Sequence, residues 1–124
     1  MKYILFLILF ISVLSCSKSD KPQPSIPEPT NELVGTTWKY IYRQENNKDI
    51  YSIIRFKDGV QLEVSSNDND EGTEKINEIY KYSYNETSRK VKYALDYQPF
   101  CEGAISGNSM TVTCSIQRVF KKVL

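Results

Sequence analysis

Cys101 and Cys114 stand equally far from the dipeptide Gly107-Asn108, in the stretch FCEGAISGNSMTVTCSI from Phe100 to Ile116. That symmetry constrains the fold more than any other feature of the chain. A Gly-Asn pair between alternating residues is a two-residue β-hairpin signal. With Ser106 and Ser109 flanking the turn, Ile105 pairs with Met110, Gly103 with Val112 and Cys101 with Cys114. Hydrogen-bonded and non-hydrogen-bonded pairs alternate outward from the turn, so the cysteines form a non-hydrogen-bonded pair, with Cα atoms close to disulfide range. Ile105, Met110, Val112 and Ile116 share the cysteines' face; Glu102, Ala104, Thr111, Thr113 and Ser115 take the other. The stretch is therefore expected to be a disulfide-stapled hairpin with one buried face.

A stable disulfide belongs to an oxidising compartment, and the start of the chain supplies a route to one. Met1-Lys2 is followed by the apolar run Tyr3 to Leu14, and Ser15 precedes Cys16. A positive start, an apolar run and a small residue before the cut read as a secretory signal over residues 1–15, too short for a stable membrane span. Val13-Leu14-Ser15-Cys16 resembles the bacterial lipobox. That resemblance implies that Cys16 becomes a lipid-modified N-terminus, held to the membrane by acyl chains at roughly 0.8 kcal/mol per buried methylene. The alternative is an ordinary cleaved signal followed by an incidental cysteine. Three cysteines in an exported protein leave one thiol over; lipidation of Cys16 leaves Cys101 and Cys114 as a pair.

Residues 16–31 then form the lipid cysteine and a tether. Ser17 to Asn31 holds four of the five prolines, a density that favours an extended spacer at ~3.1 Å per residue. Ser17 to Asp20 resembles the charged tags that follow the lipid cysteine in surface-exported lipoproteins of the Bacteroidetes; the equal alternative is a solvated tether without addressing information. The expected location is the outer membrane, on its periplasmic side or at the cell surface, with the membrane as a partner through the lipid anchor.

The remaining residues, 32–124, are one domain's worth of chain. Leu33-Val34-Gly35 reads as a turn into a strand from Thr37 to Gln44, whose inward face the alternation leaves open. Ile50, Ile54 and Phe56 share one phase of the next strand, and Val60, Leu62 and Val64 share one phase of the strand after it. A two-residue loop at Asp58-Gly59 mixes apolar and charged residues on one side, whereas a three-residue loop, Lys57-Asp58-Gly59, pairs Phe56 with Val60 and keeps the faces apart. Ser65 to Thr73, SSNDNDEGT, is expected to be a polar, flexible loop, followed by a strand from about Ile76. Val91, Tyr93, Leu95 and Tyr97 alternate with polar residues, and pairing across Asn85 to Lys90 places Tyr82 opposite Tyr93. No Gly, Pro or Asn interrupts Ser115 to Val123, so the last hairpin strand is expected to run on, bent, to Lys121. Sequential hairpins at this spacing favour an all-β fold: a small antiparallel up-and-down barrel of about eight strands, which leaves no free edge.

Glu32 to Trp38 (ELVGTTW), the turn Phe56 to Val60, the strand Tyr80-x-Tyr82-x-Tyr84, the turn Ile105 to Val112 and the closing Phe120-Lys121-Lys122-Val123 together resemble the lipocalin-like domains of Bacteroidetes lipoproteins. Lipocalins carry Gly-x-Trp on their first strand, against Gly35-Thr36-Thr37-Trp38 here. The resemblance implies a lipocalin-like barrel and an Arg near the last strand stacked on that Trp, a place for Arg118, which is otherwise an exposed strand charge.

Histidine is absent, and sixteen Lys and Arg balance fifteen Asp and Glu. The commonest general base and metal ligand is therefore missing, and a nucleic-acid partner is not expected without a basic patch. No Ser or Cys has a nearby base to activate it. Asn67, Asn69, Glu71, Gly72 and Glu78 echo the spacing of an EF-hand loop, but Asn stands at its first position and Lys75 at its ninth, so no metal is expected, nor any other cofactor. Nine tyrosines are the notable excess. Inward aromatics usually fill a small barrel, though eight strands can also enclose one small ligand. The candidate cavity residues are Trp38, Tyr82 and Tyr93, with Glu78 as a polar group at the barrel mouth. The function expected is a non-enzymatic binding module for a small apolar ligand or an envelope protein. The alternative is a protein inhibitor or accessory subunit acting through surface loops such as Ser65 to Thr73.

Overall fold

The computed structural model describes residues 27, 29–68, 71–94 and 100–124. The expected signal over 1–15, Cys16 and most of the tether lie outside the described residues, as do Asn69, Leu95 and Tyr97. Eight strands follow one another: β1 (Thr37–Glu45), β2 (Lys48–Phe56), β3 (Gln61–Asn67), β4 (Lys75–Asn85), β5 (Lys90–Tyr93), β6 (Cys101–Ser106), β7 (Ser109–Thr113) and β8 (Gln117–Val123). Each pairs antiparallel with the next, and β8 returns to β1 to close the barrel. The fold is the small up-and-down barrel that the strand spacing predicts, of the lipocalin-like form that the resemblance implies.

The β6–β7 hairpin has the expected register, Ile105 with Met110 and Gly103 with Val112. Gly107 carries the turn with φ of 56°, as a turn with glycine at its first central position requires. A disulfide joins Cys101 to Cys114, whose Cα atoms are 4.3 Å apart, as expected of a non-hydrogen-bonded pair. Tyr82 lies opposite Tyr93. The β1–β2 turn uses Asn46 and Asn47 at φ of 49° and 61°, two consecutive left-handed residues that match the twist of the flanking strands.

Three expectations are corrected. The β2–β3 loop sits one residue further on, at Asp58-Gly59-Val60: the Lys57 amide donates to the Gln61 carbonyl at 2.9 Å, and Phe56 pairs with Leu62 rather than Val60. Asp58 is the cause, since its Oδ1 accepts from the amides of Val60 and Gln61, both at 2.7 Å, and fixes the turn ahead of the strand. The shift is two residues in register, so the faces predicted for β2 and β3 survive it. Next, β8 does not continue β7. The chain reverses at Cys114-Ser115-Ile116, pairing Thr113 with Gln117, and Ile116 is 64% exposed instead of sharing the buried face. Finally, the first part of the supposed loop Ser65 to Thr73 is strand. Ser65 and Asn67 are buried, and the Asn67 side chain is spent on backbone, accepting from the Tyr51 amide at 2.7 Å and donating to the Asp49 carbonyl at 2.8 Å.

One end of the barrel is closed from within the chain. Leu33, 2% exposed, belongs to the same buried cluster as Trp38, Phe56 and Tyr82. The Gly35 amide donates to the Phe56 carbonyl at 2.9 Å and the Phe56 amide to the Thr36 carbonyl at 3.1 Å, so residues 33–36 extend the sheet as they cross its end. The Tyr82 hydroxyl accepts from Asn31 Nδ2 at 2.9 Å and donates to the Asp58 carbonyl at 2.7 Å. Gly59 lies under this crossing: a Cβ there would sit 1.4 Å from the Pro29 carbonyl oxygen, a space only glycine leaves open.

Outside the barrel, Arg55 bridges two carboxylates. Its Nη1 is 3.1 Å from Glu63 Oε1 and also bonds Glu74, whose Oε2 accepts from Nη2 at 2.9 Å. The hydrogen bonds from Arg55 hold the Glu74 carboxyl below its ordinary value, against the opposing pull of burial. A carboxyl whose folded-state value is depressed contributes stability above the unfolded value, about 4.3, and loses that contribution as pH falls through the folded one. Glu74→Gln is therefore expected to flatten the acid limb of the stability profile below about pH 5, measured as urea midpoints in steps of pH; an acid limb as steep as the wild type's assigns the loss to other carboxylates.

Candidate functional site

The described residues leave the opposite end of the barrel unfilled. A cavity of about 190 Å³ opens there, lined on one side by Ile54, Val64 and Tyr80 and on the other by Tyr93, Val112 and Phe120. Alternation places these side chains inward, as it places Trp38 and Tyr82. What separates the two groups is level along the barrel axis, since Trp38 and Tyr82 are packed into the closed end and do not line the cavity. Of the three aromatics expected to form it, only Tyr93 does.

The rim comes from irregular positions. β3 and β4 pair Val64 with Glu78 and Ser65 with Ile76, which leaves Asn77 as an extra residue. A bulge of this kind re-aims a side chain, and it is Asn77 that stands in the cavity wall, with its Nδ2 donating to Ser66 Oγ at 3.0 Å. Glu78, expected at the mouth, is exposed and is not a lining residue. Ile116, at the unforeseen β7–β8 turn, completes the rim. Cys101 and Cys114 both line the cavity, so the disulfide is part of its wall.

Arg118 is the one charged side chain among the described lining residues. It does not stack on Trp38. Its guanidinium lies 5.9 Å from the centre of the Tyr40 ring, and Lys122 takes the position over Trp38, with Nζ 5.9 Å from that ring centre. The reason is register: Trp38 pairs with Lys122 across the β1–β8 seam, whereas Arg118 pairs with Val112, one turn of the alternation and more toward the open end. Among the described residues no Asp or Glu lies within ion-pairing distance of Arg118. Beyond Lys39 and Lys121 the seam has no further ladder pairs among the described residues; instead the rings of Tyr40 and Phe120 meet at 5.7 Å between centroids.

Tyr93 is 6% exposed, and burial pushes its phenol up to about 12, with the Arg118 charge pulling the other way. At neutral pH it is a protonated hydroxyl, able to donate. Its ring lies 6.2 Å from that of Tyr80. No family model, curated protein or solved structure matches the chain. The arrangement is an apolar pocket with a donor hydroxyl in its wall and one cation at its rim. Among the described residues no group of three or more His, Cys, Asp or Glu is placed to hold a metal ion, and both domain cysteines are joined in the disulfide. Tyr80, Phe120 and Asn77 are the contributors that sequence reasoning passed over. The Tyr80-x-Tyr82 alternation was the available signal for the first; nothing in the sequence marks the bulge that turns Asn77 inward.

Proposed function

We propose that this protein is a non-enzymatic binding module of a bacterial envelope, a lipocalin-like lipoprotein held to the outer membrane through Cys16 and taking a small apolar molecule in the open end of its barrel. The observation that carries the reading is the cavity of about 190 Å³ with Ile54, Val64, Val112 and Phe120 in its walls. Apolar cavities of this order hold small apolar ligands: one of about 150 Å³ accepts benzene. The volume admits a ring or a short tail rather than a long chain. A binding role through the loop Ser65 to Thr73 has less to rest on, because Ser65 and Asn67 are buried strand residues.

The mature protein purified from its envelope tests both halves of the proposal. Its intact mass is expected to correspond to a chain starting at an acylated Cys16; an unmodified N-terminus elsewhere ends the anchor proposal. Titration of the same material with 1-octanol is expected to give saturable, one-to-one shifts of the backbone amide resonances of Ile54, Val64, Tyr93 and Val112. If octanol and its charged analogues all leave those resonances in place, the cavity is not a binding site.

A further inference from the structure

We propose that the molecule taken up is an amphiphile with one short apolar tail and an oxyanion head, the head held at the rim by Arg118 and by the Tyr93 hydroxyl. The inference rests on the cavity reading above and adds to it the charge of the ligand. Two independent observations converge on it. Among the described residues Arg118 is the single charge in the lining and has no carboxylate within ion-pairing distance. Tyr93 lines the same cavity at 6% exposure, and its hydroxyl makes no hydrogen bond among the described residues, although no side-chain polar atom is both sealed off and unsatisfied.

The Tyr93 hydroxyl is not sealed off, and it lines the cavity, so the cavity is the side from which a ligand acceptor can replace water as its partner. Arg118 and Tyr93 line the same cavity, and the Arg118 charge acts on the Tyr93 phenol against the effect of burial. Both are donors at neutral pH, so the group that satisfies them together is an acceptor, and an anion gains from the guanidinium what a neutral acceptor does not. Asn77, fixed by its bond to Ser66, adds a further polar edge to the rim. Below these groups the wall is apolar, which fixes the order of the ligand: tail inward, head at the rim. Among the described residues no carboxylate lines the pocket, so a cationic head finds no partner there.

The test compares ligands that share a tail. Octanoate, octyl phosphate and 1-octanol are titrated by calorimetry into the full mature chain, with resonance shifts locating the site. The anions are expected to bind roughly tenfold or more tightly than octanol, the size of one charge-assisted hydrogen bond, and the anion with the larger advantage identifies the head as carboxylate or phosphate. Arg118→Gln is expected to bring the anion-to-alcohol ratio close to one, Arg118→Lys to keep part of it, and Tyr93→Phe to lower it with the ring retained. Equal affinity of anion and alcohol in the wild type overturns the head-group inference while leaving the apolar cavity standing. So does a ratio that survives Arg118→Gln. Silence from all three ligands sinks the cavity reading itself, and this inference with it.

Discussion

Replacing Trp38 with Ala is expected to cost about 3–5 kcal/mol, the range for truncating a buried Trp or Phe, which is a large part of the total stability of a domain this size. Trp38 is 1% exposed and sits where three structural elements meet. On β1 it pairs with Ile54 of β2 on one side and Lys122 of β8 on the other, so its ring lies at the seam that closes the barrel. Its indole Nε1 donates to Thr36 Oγ1 at 2.9 Å, and the Thr36 hydroxyl donates in turn to the Leu33 carbonyl. The ring therefore supports both the β1–β8 closure and the segment that closes the barrel's end. Trp38→Phe keeps most of the buried area but leaves Thr36 without its donor, and is expected to lose about 1–3 kcal/mol. Lys122→Ala removes a cation–π contact worth about 0.5–1 kcal/mol. Urea midpoints rank the three variants. A Trp38→Ala protein as stable as Lys122→Ala would show that the ring does not support the barrel closure.

The parts of the fold that were legible in the sequence are those fixed by counting. A two-residue turn at Gly107-Asn108 determines every pair out to Cys101 and Cys114, and the same arithmetic places Tyr82 opposite Tyr93. Faces were legible too, because alternation is a local property: the β2–β3 loop moved by one residue without turning any side chain over, since Asp58 changed where the turn begins and not the parity of the strands. Two things escaped. The reversal at Cys114-Ser115-Ile116 carries none of the usual turn residues; it follows from closure, which needs a separate last strand to pair with β1. The level of a side chain along the barrel axis also escaped. Trp38, Tyr82 and Tyr93 all point inward, and Arg118 and Lys122 share a phase on β8, but which of each group reaches the closed end depends on how the strands are staggered around the whole barrel. That is why Lys122 and not Arg118 meets Trp38, and why Tyr93 alone of the three aromatics lines the cavity.

Removing the disulfide is the second large effect. The double variant Cys101→Ala/Cys114→Ala is expected to lose on the order of 3 kcal/mol, the chain-entropy value for a loop of this length, given a sequence separation of 13. The bridge holds β6 to β7 at the end of the hairpin away from the turn, where the ladder stops at Glu102 and Thr113 and where the chain must reverse into β8 within three residues. It also lies in the cavity wall. Stability and binding are thereby linked through one bond: loss of the bridge is expected to lower the urea midpoint and to weaken octanoate binding together, whereas a variant that merely destabilises the closed end, such as Lys122→Ala, moves the midpoint alone. The linkage runs in the other direction as well. Reduction needs a thiolate to reach a disulfide sulfur; Cys101 is fully buried and Cys114 half-buried in the wall of the cavity, so a molecule seated there covers the approach. Octanoate at saturating concentration is expected to slow the reduction of the wild-type disulfide by dithiothreitol, followed by thiol release. A double variant with the wild-type midpoint refutes the staple's contribution, and a reduction rate indifferent to octanoate shows that the cavity does not control access to it.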